Sequence, residues 1–140
     1  MKLYLIGSLR NPQVPLLGKR IRALGFDVFD EWFGAGRDAD KSWQAYEETR
    51  GRHYGEALYG RAAVNTFQFD LRNLNNSDLG VLLLPAGKSG HLELGYLIGQ
   101  GKPGFVLFPE VPAHWDLMYQ FAQGVFFHPD ALLHTLKEFL

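Results

Sequence analysis

Apolar residues along this 140-residue chain fall into two alternating spacings. Compact apolar runs occupy residues 2–7, 79–84 and 102–108, while residues 26–30 (Phe-Asp-Val-Phe-Asp) alternate between apolar and polar. These runs have the length and period of β-strands, and residues 125–127 add a brief fifth. Between them the spacing turns helical. Residues 13–25 carry a stripe of Leu16, Leu17, Ile21 and Leu24, with Gly25 as the stop. Helices are also predicted over 90–100 and 114–122. Pro129 opens a final helix to Leu140, at a first-turn position that tolerates a residue without an N–H. Trp43 to Asn75 reads as mostly helical with one break. Residues 31–42, with Gly34, Gly36 and several aspartates, read as loop.

Strands alternating with helices predict a parallel sheet covered on both faces, and right-handed crossovers restrict its topology. The expected fold is α/β, a flavodoxin-like or Rossmann-like three-layer sandwich with a five-stranded parallel sheet in the order 2-1-3-4-5. A single domain spans 1–140. Within it, residues 31–65, rich in Trp, Tyr, Arg and Gly, are expected to cap the ligand cleft.

Composition narrows the class of partner. The chain is 46% hydrophobic, enough for a substantial core, and its 14 Lys and Arg against 15 Asp and Glu give a net charge of −1. That balance argues against a nucleic-acid polymer as partner, which requires a basic footprint, but not against a small nucleotide. Without cysteine there is neither a disulfide framework nor a thiolate zinc site. No apolar run approaches the ~18 residues of a membrane span, and the apolar N-terminus is too short for a signal peptide. A cytoplasmic protein is the expectation. The histidines follow no metal-binding spacing, so no metal is expected, and no residue pattern supports a flavin or other cofactor.

The chemistry concentrates at two strand ends. Ser89-Gly90-His91-Leu92-Glu93-Leu94-Gly95-Tyr96 follows the 79–84 strand after a Pro-Ala-Gly-Lys turn. Open α/β sheets bind ligands at the carboxyl ends of their strands. Glu93 is expected in the first turn of a helix, where the helix dipole keeps a carboxylate ionised by roughly 0.3–1 kcal/mol. It is read as an anionic nucleophile or base rather than a proton donor. Gly90, Gly95 and Gly99 cost that helix on the order of 1 kcal/mol each and are read as close-packing positions. Gly7-Ser8-Leu9-Arg10 follows the first strand; Gly7 permits close backbone approach, and Ser8 and Arg10 can hydrogen-bond an anion or a sugar. Asp78, within turn-forming Asn75-Asn76-Ser77-Asp78, is read as structural. Asp70 reads as a helix carboxylate, Trp43 and Tyr46 as core, and His53 with Arg50 and Arg52 as a solvated helix face.

Taken together, several motifs resemble the nucleoside 2-deoxyribosyltransferases and the related deoxynucleoside monophosphate N-glycosidases. They are Tyr4 on the first strand, Asp70 and Asp78 eight apart, Gly90-x-x-Glu93-Leu94-Gly95-Tyr96, Gly101-Lys102 before the next strand, and Asp116-Leu117-Met118. The resemblance implies cleavage or exchange of the N-glycosidic bond of a (deoxy)nucleoside or its 5′-monophosphate. Glu93 would be the nucleophile that forms a covalent glycosyl-enzyme, Tyr4 its orienting partner, and Asp70 the base contact. Ser8, Arg10, Ser89, Gly7 and Gly90 are the implied sugar or phosphate contacts. Asp116 would reach the 5′-hydroxyl of a neighbouring subunit's nucleoside, which implies a homodimer or higher homo-oligomer, and Met118 is a further candidate substrate contact. Where the transferases carry a further aspartate before the nucleophile, this chain has Gly87. That difference leaves a non-catalytic nucleotide-binding or sensor domain of the same fold as the alternative.

Overall fold

A computed structural model describes residues 1–140. Five strands, β1 (Lys2–Ile6), β2 (Asp27–Phe29), β3 (Leu79–Leu83), β4 (Gly104–Leu107) and β5 (Gly124–Phe126), form one sheet. All of its pairings are parallel, and the order is the expected β2-β1-β3-β4-β5. The helices are α1 (Gln13–Leu24), α2 (Ala39–Thr49), α3 (Tyr54–Ala57), α4 (Arg61–Asn76), α5 (Lys88–Gly99) and α6 (Pro129–Leu136).

Successive strand residues point to opposite faces, so β1 serves two cores. Leu3 and Leu5 join Val14, Leu17 and Ile21 of α1 and Leu132, Leu133 and Leu136 of α6. Tyr4 and Ile6 point the other way, toward Leu74 of α4 and Leu94 and Leu97 of α5. Of the candidate residues, Tyr4 belongs to this second face, and Asp70 and Glu93 are carried by its helices α4 and α5. α1 ends as expected at Gly25, whose φ of 115° suits a residue without a Cβ. Its buried stripe is Val14, Leu17, Gly18 and Ile21, whereas Leu16 is exposed.

Other expectations need correction. Residues 31–42 are not wholly loop: a 3-10 turn covers Glu31–Ala35 and α2 begins at Ala39. The helical stretch after it breaks twice, around Gly51 and around Gly60, rather than once. Residues 114–122 form only a 3-10 turn, Leu117–Phe121, capped by the Asp116 side chain, which accepts from the Met118 N–H at 2.8 Å. Tyr46 is exposed rather than core, with the Arg50 guanidinium over its ring. His53, Arg50 and Arg52 are not an idle solvated face. His53 caps α3, and both arginines pair with the buried carboxylate of Glu47. Asp78 is structural as read, accepting from the Lys2 N–H at 2.8 Å. No helix is long and apolar enough to cross a membrane.

Candidate active site

β1 and β3 are adjacent, and the segments leaving their carboxyl ends, 7–12 and 84–90, meet beside the sheet edge. The first is held in a turn by Ser8. The Ser8 carbonyl accepts from the Asn11 N–H at 3.0 Å, and the Ser8 Oγ accepts from the Arg10 N–H at 3.1 Å. The Ser8 hydroxyl proton therefore remains available to a ligand. Gly90 sits against Leu82 and Ile6, where an added Cβ would come within 3.1 and 3.2 Å of them; this glycine packs closely, as expected.

The other two glycines of that helix do not. An added Cβ at Gly95 or Gly99 meets nothing within 4 Å. What brings α5 onto the sheet is glycine in the strands: Gly80 and Gly104 are register partners, and a Cβ on either would collide with Leu97 or with Ile98 and Leu94. Tyr4 is the register partner of Gly80 on the other side. A large phenol on β1 thus stands beside a bare backbone position on β3, under the helix that carries Glu93.

Tyr4, Asp70 and Glu93 line one cavity of about 490 Å³, together with Gly7, Ser8, Arg10, Ser89 and Gly90. The sequence-predicted residues from β1, α4 and α5 are therefore gathered in one place, and Asp70 is half-buried there rather than a solvated helix carboxylate. Tyr4 is fully buried and packs against Phe29, ring centroids 4.9 Å apart, which in turn meets Phe69 at 5.8 Å. Burial, reinforced by the Glu93 carboxylate, holds the Tyr4 phenol far above its ordinary range, so it stays a neutral donor.

Glu93 lies in the second turn of α5, not the first, because the helix already begins at Lys88. The helix dipole acts within the first turn and does not dominate there. Burial pushes the Glu93 carboxyl up to about 7; the Tyr4 hydroxyl works against that rise by hydrogen bonding, and the nearby Asp70 charge adds to it. Burial likewise raises Asp70. Two carboxyls in one cavity thus hold their protons more tightly than free side chains do. Near neutral pH Glu93 is poised between acid and nucleophile instead of being firmly ionised.

Several wall residues were not singled out individually in the sequence: Glu31, Trp32, Arg37 and Asp40, which fall in the segment expected to cap the cleft, and Thr66 and Phe69 from α4. Trp32 is fixed by donating its indole N–H to the Leu5 carbonyl at 2.7 Å. Their one available signal was position, since 31–42 follows the carboxyl end of a strand. Asp116 and Met118 lie elsewhere. They line a separate, mostly apolar cavity of about 630 Å³ on the other side of α5, with His91, Gly95 and Tyr119. No group of three or more His, Asp or Glu side chains gathers as a metal site would require.

No family model matches the chain, and no curated protein matches it by sequence. Solved structures do. A conserved protein from Enterococcus faecalis V583 aligns over all of this chain and 99% of its own, with a TM-score of 0.69 at 18% identity. A 2-deoxyribosyltransferase from the psychrotolerant bacterium Bacillus psychrosaccharolyticus aligns over 95% of this chain and 90% of its own, with a TM-score of 0.64 at 18% identity. The CMP N-glycosidase of Clostridium botulinum aligns over 97% and 98%, with a TM-score of 0.54 at 12% identity. The chain therefore has, across nearly its whole length, the fold shared by a 2-deoxyribosyltransferase and a CMP N-glycosidase.

Proposed function

We propose that the protein belongs with the nucleoside 2-deoxyribosyltransferases and nucleotide N-glycosidases, and cleaves or exchanges the N-glycosidic bond of a (deoxy)nucleoside 5′-monophosphate or nucleoside. The observation that carries this reading is the convergence of Tyr4, Asp70 and Glu93 in one cavity at the sheet edge. Ionised Glu93 attacks the anomeric carbon, and the C1′–N bond breaks with its electron pair passing to the base. The oxocarbenium-like transition state is stabilised by the adjacent carboxylate. The resulting glycosyl ester is attacked at C1′ by water or by a second base, freeing the Glu93 carboxylate and retaining configuration. The proton of the acceptor, from water or from the N–H of the second base, passes to Asp70 or to solvent, and the departed base takes up a proton from solvent. Tyr4 orients Glu93, and Asp70 contacts the base.

Charge layout favours the 5′-monophosphate. Ser8, Arg10 and Gly87 line the catalytic cavity and also a neighbouring depression of about 400 Å³ that contains no carboxylate. Asp116, which would repel a phosphate, is outside both. A homo-oligomer in which Asp116 completes a neighbouring copy's site would favour the nucleoside instead, since a carboxylate at the 5′ end suits a hydroxyl and repels a phosphate; sedimentation as a strict monomer would remove that alternative.

Incubation with ribo- and deoxynucleosides and their 5′-monophosphates, with and without an acceptor base, tests the reading by chromatography of free base. Release in water identifies a glycosidase, and release only with an acceptor identifies a transferase. Glu93→Gln is expected to abolish either. Saturable binding with no release at any enzyme concentration would instead make the protein a nucleotide-binding domain.

A further inference from the structure

Arg37 stands in the wall of the catalytic cavity without an assigned role. The only cations lining that cavity are Arg10 and Arg37. Arg37 is exposed and forms no ion pair, although Asp38 and Asp40 follow it closely in sequence and Glu31 shares its wall. An unpaired guanidinium beside available carboxylates is positioned for something other than a structural salt bridge.

Only part of the cavity wall is shared with its neighbour: Ser8, Arg10 and Gly87 continue into the depression without carboxylates. The 31–40 segment and Asp70 with Phe69 of α4 line the catalytic cavity alone. A nucleotide carries its base on C1′ and its 5′ group on C4′, at opposite ends of the sugar. With C1′ at Glu93 and the 5′ end at Arg10, the base extends toward the 31–40 segment. Trp32 and Phe69 offer apolar surface there, and Arg37 is the one cation.

Cleavage leaves the electron pair of the C1′–N bond on the base, and the negative charge spreads to ring nitrogens and carbonyl oxygens. A planar fork of N–H donors matches such paired acceptors. Position 87, a glycine, supplies no proton to the leaving base. We propose that Arg37 is a further catalytic residue of this reaction, its guanidinium holding the negative charge that collects on the departing base. The inference rests on the N-glycosidic reading above and assigns the 31–40 segment the task of activating the leaving group.

The test compares wild type, Arg37→Ala and Arg37→Lys on a series of nucleotides sharing one sugar. Their bases run from unsubstituted, through halogenated bases of falling pKa, to a pyridinium that departs as a neutral molecule. Arg37→Ala is expected to lower kcat about 100-fold on the unsubstituted base, the loss typical of one missing oxyanion donor. The loss should shrink steadily along the series, to under about 3-fold for the pyridinium. Arg37→Lys should restore part of the rate. An equal loss across the series, or no loss, overturns the proposal. So does a fall in monophosphate-over-nucleoside preference without leaving-group dependence, which would assign Arg37 to the 5′ end. Thermal melting of each variant separates these results from misfolding. Absence of base release by the wild type on every substrate overturns the N-glycosidic reading itself.

Discussion

Gly80 on β3 and Gly104 on β4 face each other across the parallel ladder, directly beneath Leu97 and Ile98 of α5. This bare pair of backbone positions sets how closely the Glu93 helix approaches the sheet, and so how near Glu93 comes to Tyr4.

Replacing Gly80 with alanine is therefore expected to act on both stability and site. Its Cβ would meet the Leu97 side chain in a fully buried layer, and overpacking of that kind costs ~1–3 kcal/mol. Urea denaturation measures the cost. Because α5 must shift to relieve the clash, base release should fall by more than the folded fraction does.

The raised pKa of Glu93 gives the reaction an acidic limb. In the proposed mechanism attack requires the carboxylate, so kcat/KM for base release should climb with pH and level off above an apparent pKa near 7. A profile already flat from pH 5 upward would show that the group ionises like a free glutamate and that burial does not control it.

The same shift makes a statement about stability. The folded chain binds the Glu93 proton more tightly than the unfolded chain, whose glutamate titrates near 4.5. Folding stability from this group is fully present below pH 4.5 and is lost as pH rises to about 7. Glu93→Gln carries no such penalty. Relative to wild type it should gain on the order of 3 kcal/mol on going from pH 4 to pH 8, read from denaturant melts at both pH values. A pH-independent difference would contradict the shift.

Tyr4→Phe removes the hydroxyl that pulls Glu93 downward while keeping the ring packed on Phe29. The acidic limb should move to higher pH, and activity at pH 7 should fall by about tenfold or more. Because the ring keeps its packing against Phe29, the fold should tolerate the exchange. A variant with an unmoved pH profile would deny Tyr4 its orienting role.

Much of this molecule is written locally. The strand runs, the Gly25 stop, Pro129 at a helix start and the alternation of strand with helix determine a parallel sheet of order 2-1-3-4-5. Hydrophobic period and turn chemistry are properties of neighbouring residues, and they survive without knowledge of distant ones. Tyr4, Asp70 and Glu93 were legible too, as members of ordered motifs.

Tertiary structure decided the rest. The environment of Glu93 follows from burial in the cavity between α5 and its neighbours and from Tyr4 and Asp70, residues far away in sequence. A local reading of helix dipole therefore predicted too acidic a carboxyl. The glycines that matter for close approach are Gly80 and Gly104, because only the stacking of helix on sheet defines where a Cβ collides; Gly95 and Gly99, conspicuous in the sequence, face open space. Arg37 and Trp32 enter the cavity through the path of the chain after β2, which no local period encodes. The sequence by itself determined which elements form and which chemical groups were available. Long-range packing alone decided which groups meet, because desolvation and charge coupling depend on distance in space and not along the chain.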